Sequence, residues 1–214
     1  MIIFQPDRYL LRKFIATHAP TFSGSILDTG GGKGRYRHLF TSVKEYRILD
    51  IDPSVQPDIT GSIEHIPLQD SSLDGIICTQ VLGDVWNIVK AIQEMCRILK
   101  PGGKLLITES LLNEEHDEPC DYWRCTQFSW KKLLEQHFFV ETIEPRGGFY
   151  SHMAQDRIRF MIERYSLYKR PLLGRLTHMY ALIVGKYALL RDQWDTSAAN
   201  KKFPIGYCIL ARKK

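Results

Sequence analysis

Several large protein classes are excluded by what this chain lacks. Its five cysteines, at 78, 96, 120, 125 and 208, are few, odd in number and never spaced CxxC. That excludes a disulfide-stapled scaffold and favours reduced thiols in a reducing compartment. There is no long apolar run: the longest, around Tyr180–Val184, is far too short to cross a bilayer. The first residues, MIIFQPDRYLLRK, carry no basic stretch ahead of an apolar one, so a secretory signal is not expected. Internal repeats, low-complexity tracts and linkers are also missing. A cytoplasmic location is the expectation.

What is present is ordinary in bulk and uneven in detail. A chain of 214 residues with 44% hydrophobic and 25% charged residues lies in single-domain range and can bury one sizeable core. Its charge is asymmetric. Residues 151–214 hold 13 Lys/Arg against 4 Asp/Glu, whereas the rest hold 16 against 20. The C-terminal part therefore either faces an anionic group, such as a phosphate-bearing substrate or a membrane surface, or presents a solvated basic helix face.

Along the chain, helical and strand-like patterns alternate. Residues 7–19 have apolar positions at helical spacing, and SILD then runs as a short strand into TGGGKG. Residues 34–43 read as helix, 46–51 as a second strand stopped by Asp52-Pro53, and a short strand is expected near Ile59. LDGIICT (73–79) reads as a buried strand and 85–100 as an amphipathic helix, apolar at Ile88, Ala91, Ile92, Met95 and Ile98, with Lys90, Glu94 and Arg97 between them. Pro101-Gly102-Gly103 turns the chain into KLLITES. Residues 129–138 read as helix, 138–144 as strand, and 154–192 as a mainly helical segment broken near Pro171. PIGYCILAR closes as a strand, either an antiparallel edge or a hairpin partner. Such alternation argues an α/β fold with a mostly parallel sheet and helices on both faces.

The strongest chemical signal is Leu27-Asp28-Thr29-Gly30-Gly31-Gly32-Lys33-Gly34. Glycines at 30, 32 and 34 follow a strand, where the backbone must take dihedrals open to few other residues and approach a ligand closely. The spacing is GxGxG and not the GxGxxG of dinucleotide sites, which brings a helix N-terminus up to a pyrophosphate. An acid such as Asp28 beside the turn suits an ammonium group and would repel a pyrophosphate. Twenty residues beyond Gly30, Asp50 ends the second strand, where a carboxylate can accept both ribose hydroxyls of an adenosine. In this order and spacing the two features favour an adenosine ligand.

These residues, with LDIDPS, ITGSIEHIPLQDSSLDGIICTQVLGDV and IQEMCRILKPGGKLLITES, resemble the class I S-adenosylmethionine-dependent methyltransferases of the type 11 branch, over roughly residues 20–110. The resemblance implies a Rossmann-like, doubly wound, seven-stranded sheet with a reversed final strand, and S-adenosylmethionine bound at the strand C-termini. It places Asp28, Gly30, Gly32 and Gly34 at the methionine-side turn and Asp50 on the ribose. Ser62 and Ile63 fall beside the adenine, and Thr79 and Gln80 just after the fourth strand. Two positions depart from the family. Ser62 stands where an acid usually meets the adenine amino group, and Leu82-Gly83-Asp84-Val85 replaces a common Leu-Glu-His-Val.

HDEPCDYWRCT (116–126) is similar to the Asp-Tyr-x-Arg-x-Thr segment of many bacterial type 11 enzymes and follows the fifth strand, so it is expected on the acceptor side. His116 or Asp117 could take a proton from a hydroxyl, and Asp121, Tyr122 and Arg124 are substrate-binding candidates, Arg124 for a carboxylate or phosphate. Against this, Asp121–Arg124 could be a structural ion pair, and Thr126 or Ser129 a helix cap. His116, Cys120 and Cys125 match no zinc pattern, so no metal is expected.

The basic, apolar-interleaved segment 157–191 reads either as part of a lid-like helical insertion at about 150–200, its apolar side turned over the acceptor pocket, or as a peripheral membrane contact. No nucleic-acid motif surrounds its basic residues. The expectation is a single domain over 1–214 that methylates a small-molecule, sugar or lipid-linked glycan acceptor by in-line transfer. A non-catalytic module of the same fold and a nicotinamide-dependent reductase are the rival readings.

Overall fold

The computed structural model describes residues 3–214. The chain divides into two compact units. One comprises the residues up to Lys13, Leu111–Glu114 and Pro145–Gly206, and the other comprises Phe14–Ser110, Glu115–Glu144 and Tyr207–Lys214.

The larger unit is built on a seven-stranded, mostly parallel sheet of β1 (Gly24–Thr29), β2 (Val43–Asp50), β3 (Ile59–Thr60), β4 (Leu73–Thr79), β5 (Leu99–Ser110), β6 (Phe138–Arg146) and β7 (Gly206–Lys213). Their order is β3-β2-β1-β4-β5-β7-β6, with β7 the reversed strand. The order reverses at β1, flanked in parallel by β2 on one side and β4 on the other. In an open α/β sheet, that crevice at the strand C-termini is where ligands bind. Ile26, Leu27, Ile76, Ile77 and Leu105–Ile107 are fully buried, which is why these strands read as continuous apolar runs.

Helix α1 (Pro6–His18) precedes the sheet, and α2 (Ile88–Ile98) and α3 (Gln127–Leu134) link its later strands. Asn87 caps α2, accepting the Lys90 amide at 3.0 Å, and the apolar residues named above are its buried face. Glu94 is buried with them, although its place in the sequence reads as polar surface. Thr126 caps α3, accepting the Ser129 amide at 3.4 Å.

Three expectations need correction. Residues 34–43 form no α-helix: a single 3-10 turn, Arg37–Leu39, occupies the segment. Gly30, Gly32 and Gly34 all hold positive φ, so the helical path is broken until Gly34, and β2 begins nine residues later. The closing strand β7 is interior, between β5 and β6, rather than at an edge. β5 also starts earlier than expected, because Leu99 already pairs with Leu73 before the register shifts across the Pro-Gly-Gly turn.

The smaller unit centres on α4 (Phe149–Tyr165) and α5 (Pro171–Trp194). Pro171 opens α5, where its missing N–H is no loss. Asp192 near the end of α5 accepts the amides of Gly148, Tyr150 and Ser151 at 3.0–3.1 Å, capping α4. Ile3, Ile158, Ile162, Leu167 and Ala181 form the core, and Asp7 pairs with buried Arg146 at 2.6 Å. The inward residues of α5 are mostly small: Gly174, Thr177, Ala181, Gly185 and Ala188.

Candidate cofactor site

A cavity of about 460 Å³ opens within the larger unit. Its lining comes from residues just past strand ends: Gly30 after β1, Asp50 and Ile51 at β2, Gly61–Glu64 after β3, and Gln80 and Val81 after β4. Of the cofactor-side residues expected from sequence, Gly30, Asp50, Ser62, Ile63 and Gln80 line it. Asp28, Gly32, Gly34 and Thr79 do not, and stand behind or beside it.

Gly30 holds φ +66°, and a Cβ there would lie 2.4 Å from Cγ2 of Val81. Only glycine lets the turn close against Val81, two residues past β4. Asp50 is held from two sides: the Gly32 amide donates to Oδ2 at 2.8 Å and the Asp52 amide to Oδ1 at 3.0 Å. Each carboxylate oxygen keeps a lone pair for a further donor. Ile63 is buried and offers an apolar wall. The Ser62 hydroxyl oxygen accepts the Glu64 amide at 3.1 Å, which leaves its proton free to donate. Gln80 sits at φ +57°, secured by its amide to Thr108 O at 2.8 Å and by the Ser110 hydroxyl to its side chain at 2.7 Å. A non-glycine residue in left-handed conformation at a pocket rim is a strained position held by its surroundings.

Asp28 lies beneath the turn, buried. It accepts the Tyr46 hydroxyl at 2.6 Å on Oδ2, while Oδ1 is buried without a hydrogen-bond partner. Burial raises its pKa to about 6, against the Tyr46 hydrogen bond and with help from the Asp50 charge. The same burial, with Asp28 alongside, pushes the Tyr46 phenol up.

The loop 62–70 behind Ser62 and Ile63 is fastened by a pair the sequence reading missed. Glu94 accepts Arg97 Nε at 2.9 Å, Arg97 Nη2 at 2.8 Å and the Ile66 amide at 3.0 Å. Arg97 in turn donates to the carbonyls of Ile66 and Leu68. The Arg97 hydrogen bond holds the Glu94 carboxyl down at about 2 against its burial. An i,i+3 Glu–Arg spacing on one helix was the available signal.

The 116–126 segment meets the cavity at its other end. Asp117, Cys120 and Tyr122 line it together with Asp84, Val85 and Trp86, and Trp86 and Tyr122 meet edge to face at 5.2 Å. At the departure at 82–85, Gly83 lies under the 116–126 loop. Its carbonyl accepts the amides of Tyr122 and Trp123 at 2.9 and 3.0 Å, and a Cβ would stand 3.4 Å from both Glu109 Oε2 and the Trp123 carbonyl. Glu109 fixes the same turn by accepting the Val81 and Leu82 amides at 2.7 and 2.6 Å.

Asp121 and Arg124 form the ion pair that was the structural alternative, with both guanidinium η-nitrogens on the carboxylate. The Arg124 fork is thus engaged by Asp121 and not extended toward an anionic ligand. Burial would raise the Asp121 carboxyl; the Arg124 hydrogen bond and the His116 amide outweigh it and hold it below the usual range. His116 stands beside this pair, Nδ1 at 3.3 Å from Asp121 Oδ2 and Nε2 at 3.8 Å from Asp84 Oδ1. Burial raises the Asp84 pKa, with the His116 charge opposing. Among the described residues, Asp84, His116 and Asp121 are the one group close enough to share a metal ion. Cys120 and Cys125 are not in it, and Arg124 already neutralises Asp121.

The type 11 family described as "Methyltransferase domain" matches residues 27–107. The ubiquinone/menaquinone biosynthesis C-methyltransferase of Rubrivivax gelatinosus is 29% identical over 76% of this chain and 64% of its own length. A thiol S-methyltransferase of Rattus norvegicus is 36% identical over 51% and 52%. The chain thus spans less than two thirds of these relatives. The solved [4+2]-cyclase SpnF, at 18% identity, shares the fold with a TM-score of 0.64, covering 97% of this chain and 81% of its own. The cavity's lining from Gly30 to Trp86 falls within residues 27–107, the segment that this family model matches.

Proposed function

We propose that the chain is a methyltransferase that uses S-adenosylmethionine to methylate a small-molecule, sugar or lipid-linked acceptor carrying a proton that must leave. One observation carries this reading: a cavity at the strand C-termini contains a carboxylate, Asp50, oriented by the amides of Gly32 and Asp52. The residues fit the cofactor. Asp50 would take the ribose hydroxyls, Ile63 would flank the adenine with Ser62 at its edge, and the turn 28–34 would hold the amino acid end. The unpartnered, buried Asp28 Oδ1 fits a site that gains a cationic neighbour on binding.

When bound, S-adenosylmethionine supplies an electrophilic methyl group. The protein's own task is then mainly alignment. Asp84 lines the acceptor end of the cavity and would take the proton of a hydroxyl or thiol bound there, with His116 3.8 Å behind it to share the charge. Asp121 and Arg124 position His116 and do not touch the acceptor. Trp86 and Tyr122 favour an acceptor with an apolar or aromatic face.

A radiolabelled methyl-transfer screen over phenols, alcohols, thiols and sugars tests the proposal. Transfer to at least one class, reduced in His116→Ala, is expected. Cofactor binding with no transfer to any class would leave a non-catalytic module.

A further inference from the structure

Helix α5 is packed inside out. Its small residues Gly174, Thr177, Ala181, Gly185 and Ala188 are buried. Its large apolar residues Leu172, Leu176, Met179, Ile183, Tyr187, Leu190 and Trp194 are between 39% and 76% exposed. Their spacing of three and four places all seven on one narrow face, running about 33 Å at the α-helical rise. A groove of about 590 Å³ joins that face at Tyr187 and is lined there by Val184 of α5 and by Met153, Arg157 and Phe160 of α4. An apolar strip of this length is not left in water without a partner.

Charge identifies the partner. Exposed Arg175 and Lys186 flank the strip, Lys169 and Arg170 stand at its start, and Arg157 borders the groove. The single carboxylate of α5, Asp192, is turned inward onto the α4 amides. The strip is therefore apolar with a mainly cationic border, and Asp156 is the carboxylate that lines the groove beside Arg157. A second copy would bring the same cations together, whereas an anionic lipid surface would neutralise them. No helix among the described residues is long and apolar enough to cross a membrane, so the geometry suits a helix lying in the plane of the interface.

We infer that the outward face of α5 docks this protein on an anionic lipid bilayer, with the α4–α5 groove open to an acyl chain. This assignment stands independently of the methyl-transfer proposal.

Co-sedimentation with phosphatidylcholine vesicles, with and without phosphatidylglycerol, tests it on the full chain. Binding is expected only when phosphatidylglycerol is present, weakening at high salt. Leu176→Glu with Ile183→Glu should abolish it, and Arg175→Glu with Lys186→Glu should weaken it by about tenfold or more. Both variants alter exposed side chains, so their melting temperatures and S-adenosylhomocysteine binding should match wild type and show that the fold is intact. No binding to either vesicle, or equal binding in the Leu176/Ile183 variant, would overturn the inference. So would a wild-type dimer that this variant dissociates, which would assign the face to a second copy. A raised acceptor KM in the variant, with no vesicle binding by either protein, would assign it to closure over substrate instead.

Discussion

The amide of Gly32 donates to Oδ2 of Asp50 at 2.8 Å, so the glycine turn after β1 and the acid ending β2 are one hydrogen-bonded unit. Hydrogen bonds to an ionised carboxylate are among the stronger in proteins. This one fixes the carboxylate's direction before any ligand arrives. Changes in the turn should therefore be felt at the ribose position, and changes at Asp50 should loosen the turn.

Gly30→Ala should be the more damaging of two matched turn substitutions. Its Cβ would strike Val81 at 2.4 Å, whereas one at Gly32 meets nothing within 4 Å. Both force alanine into positive φ, at about 1–2 kcal/mol. Thermal denaturation should therefore show a modest loss for Gly32→Ala and a clearly larger one for Gly30→Ala. Equal losses would contradict the close approach.

Arg97→Ala should destabilise the protein by about 3 kcal/mol, because it strands the buried Glu94 carboxylate. It should also weaken S-adenosylhomocysteine binding, since Arg97 holds the loop carrying Ser62 and Ile63 through the carbonyls of Ile66 and Leu68. Glu94 is lowered to about 2 from 4.5, so its share of stability is present above pH 4.5 and lost as pH falls toward 2. Urea titrations of wild type and Glu94→Gln over that range should converge at the acid end. Parallel curves would contradict the pairing.

Asp28 has the opposite sign. Its pKa is raised from 3.8 to about 6 by burial, so the folded state favours the protonated acid. Its stabilising share is complete below pH 3.8 and lost as pH rises through about 6, some ~3 kcal/mol in all. Relative to Asp28→Asn, wild type should lose stability across that window. Identical pH slopes in denaturant melts would remove Asp28 from the account.

His116→Ala should lower kcat by about a hundredfold or more, with S-adenosylhomocysteine affinity unchanged. Asp84→Asn should alter the acid limb of the rate profile: burial raises the Asp84 pKa, and a proton acceptor is lost as pH falls through it. Arg124→Lys, which keeps the charge but not the fork, should move the same limb less. A rate profile unaffected by Asp84→Asn would place the proton elsewhere.

Much of this was legible in the sequence because it rests on local pattern. The β4 run LDGIICT and the GxGxG turn are continuous in sequence, and their spacing carries their meaning. Asp50 was findable because it ends a strand. Other features depended on tertiary facts. The missing helix at 34–43 follows from three positive-φ glycines and an early β2, which periodicity does not encode. Glu94 reads as surface until Arg97 and the Ile66 amide are seen to satisfy it. The meaning of Gly83 and Asp84 emerged only once the 116–126 loop was seen resting on them. Helix α5 shows the limit of counting apolar residues, because spacing alone does not tell which face is buried.

Asp50 would hold an adenosine-bearing cofactor in the switch-point cavity. Calorimetric titration with S-adenosylhomocysteine on wild type, Asp50→Asn and Asp50→Ala tests it most directly. Saturable binding to wild type is expected, with weaker binding to Asp50→Asn and a loss of about 2 kcal/mol or more in Asp50→Ala, as for a charge-assisted hydrogen-bond acceptor. A folded wild type that does not bind, or an Asp50→Ala variant that binds equally well, would contradict it.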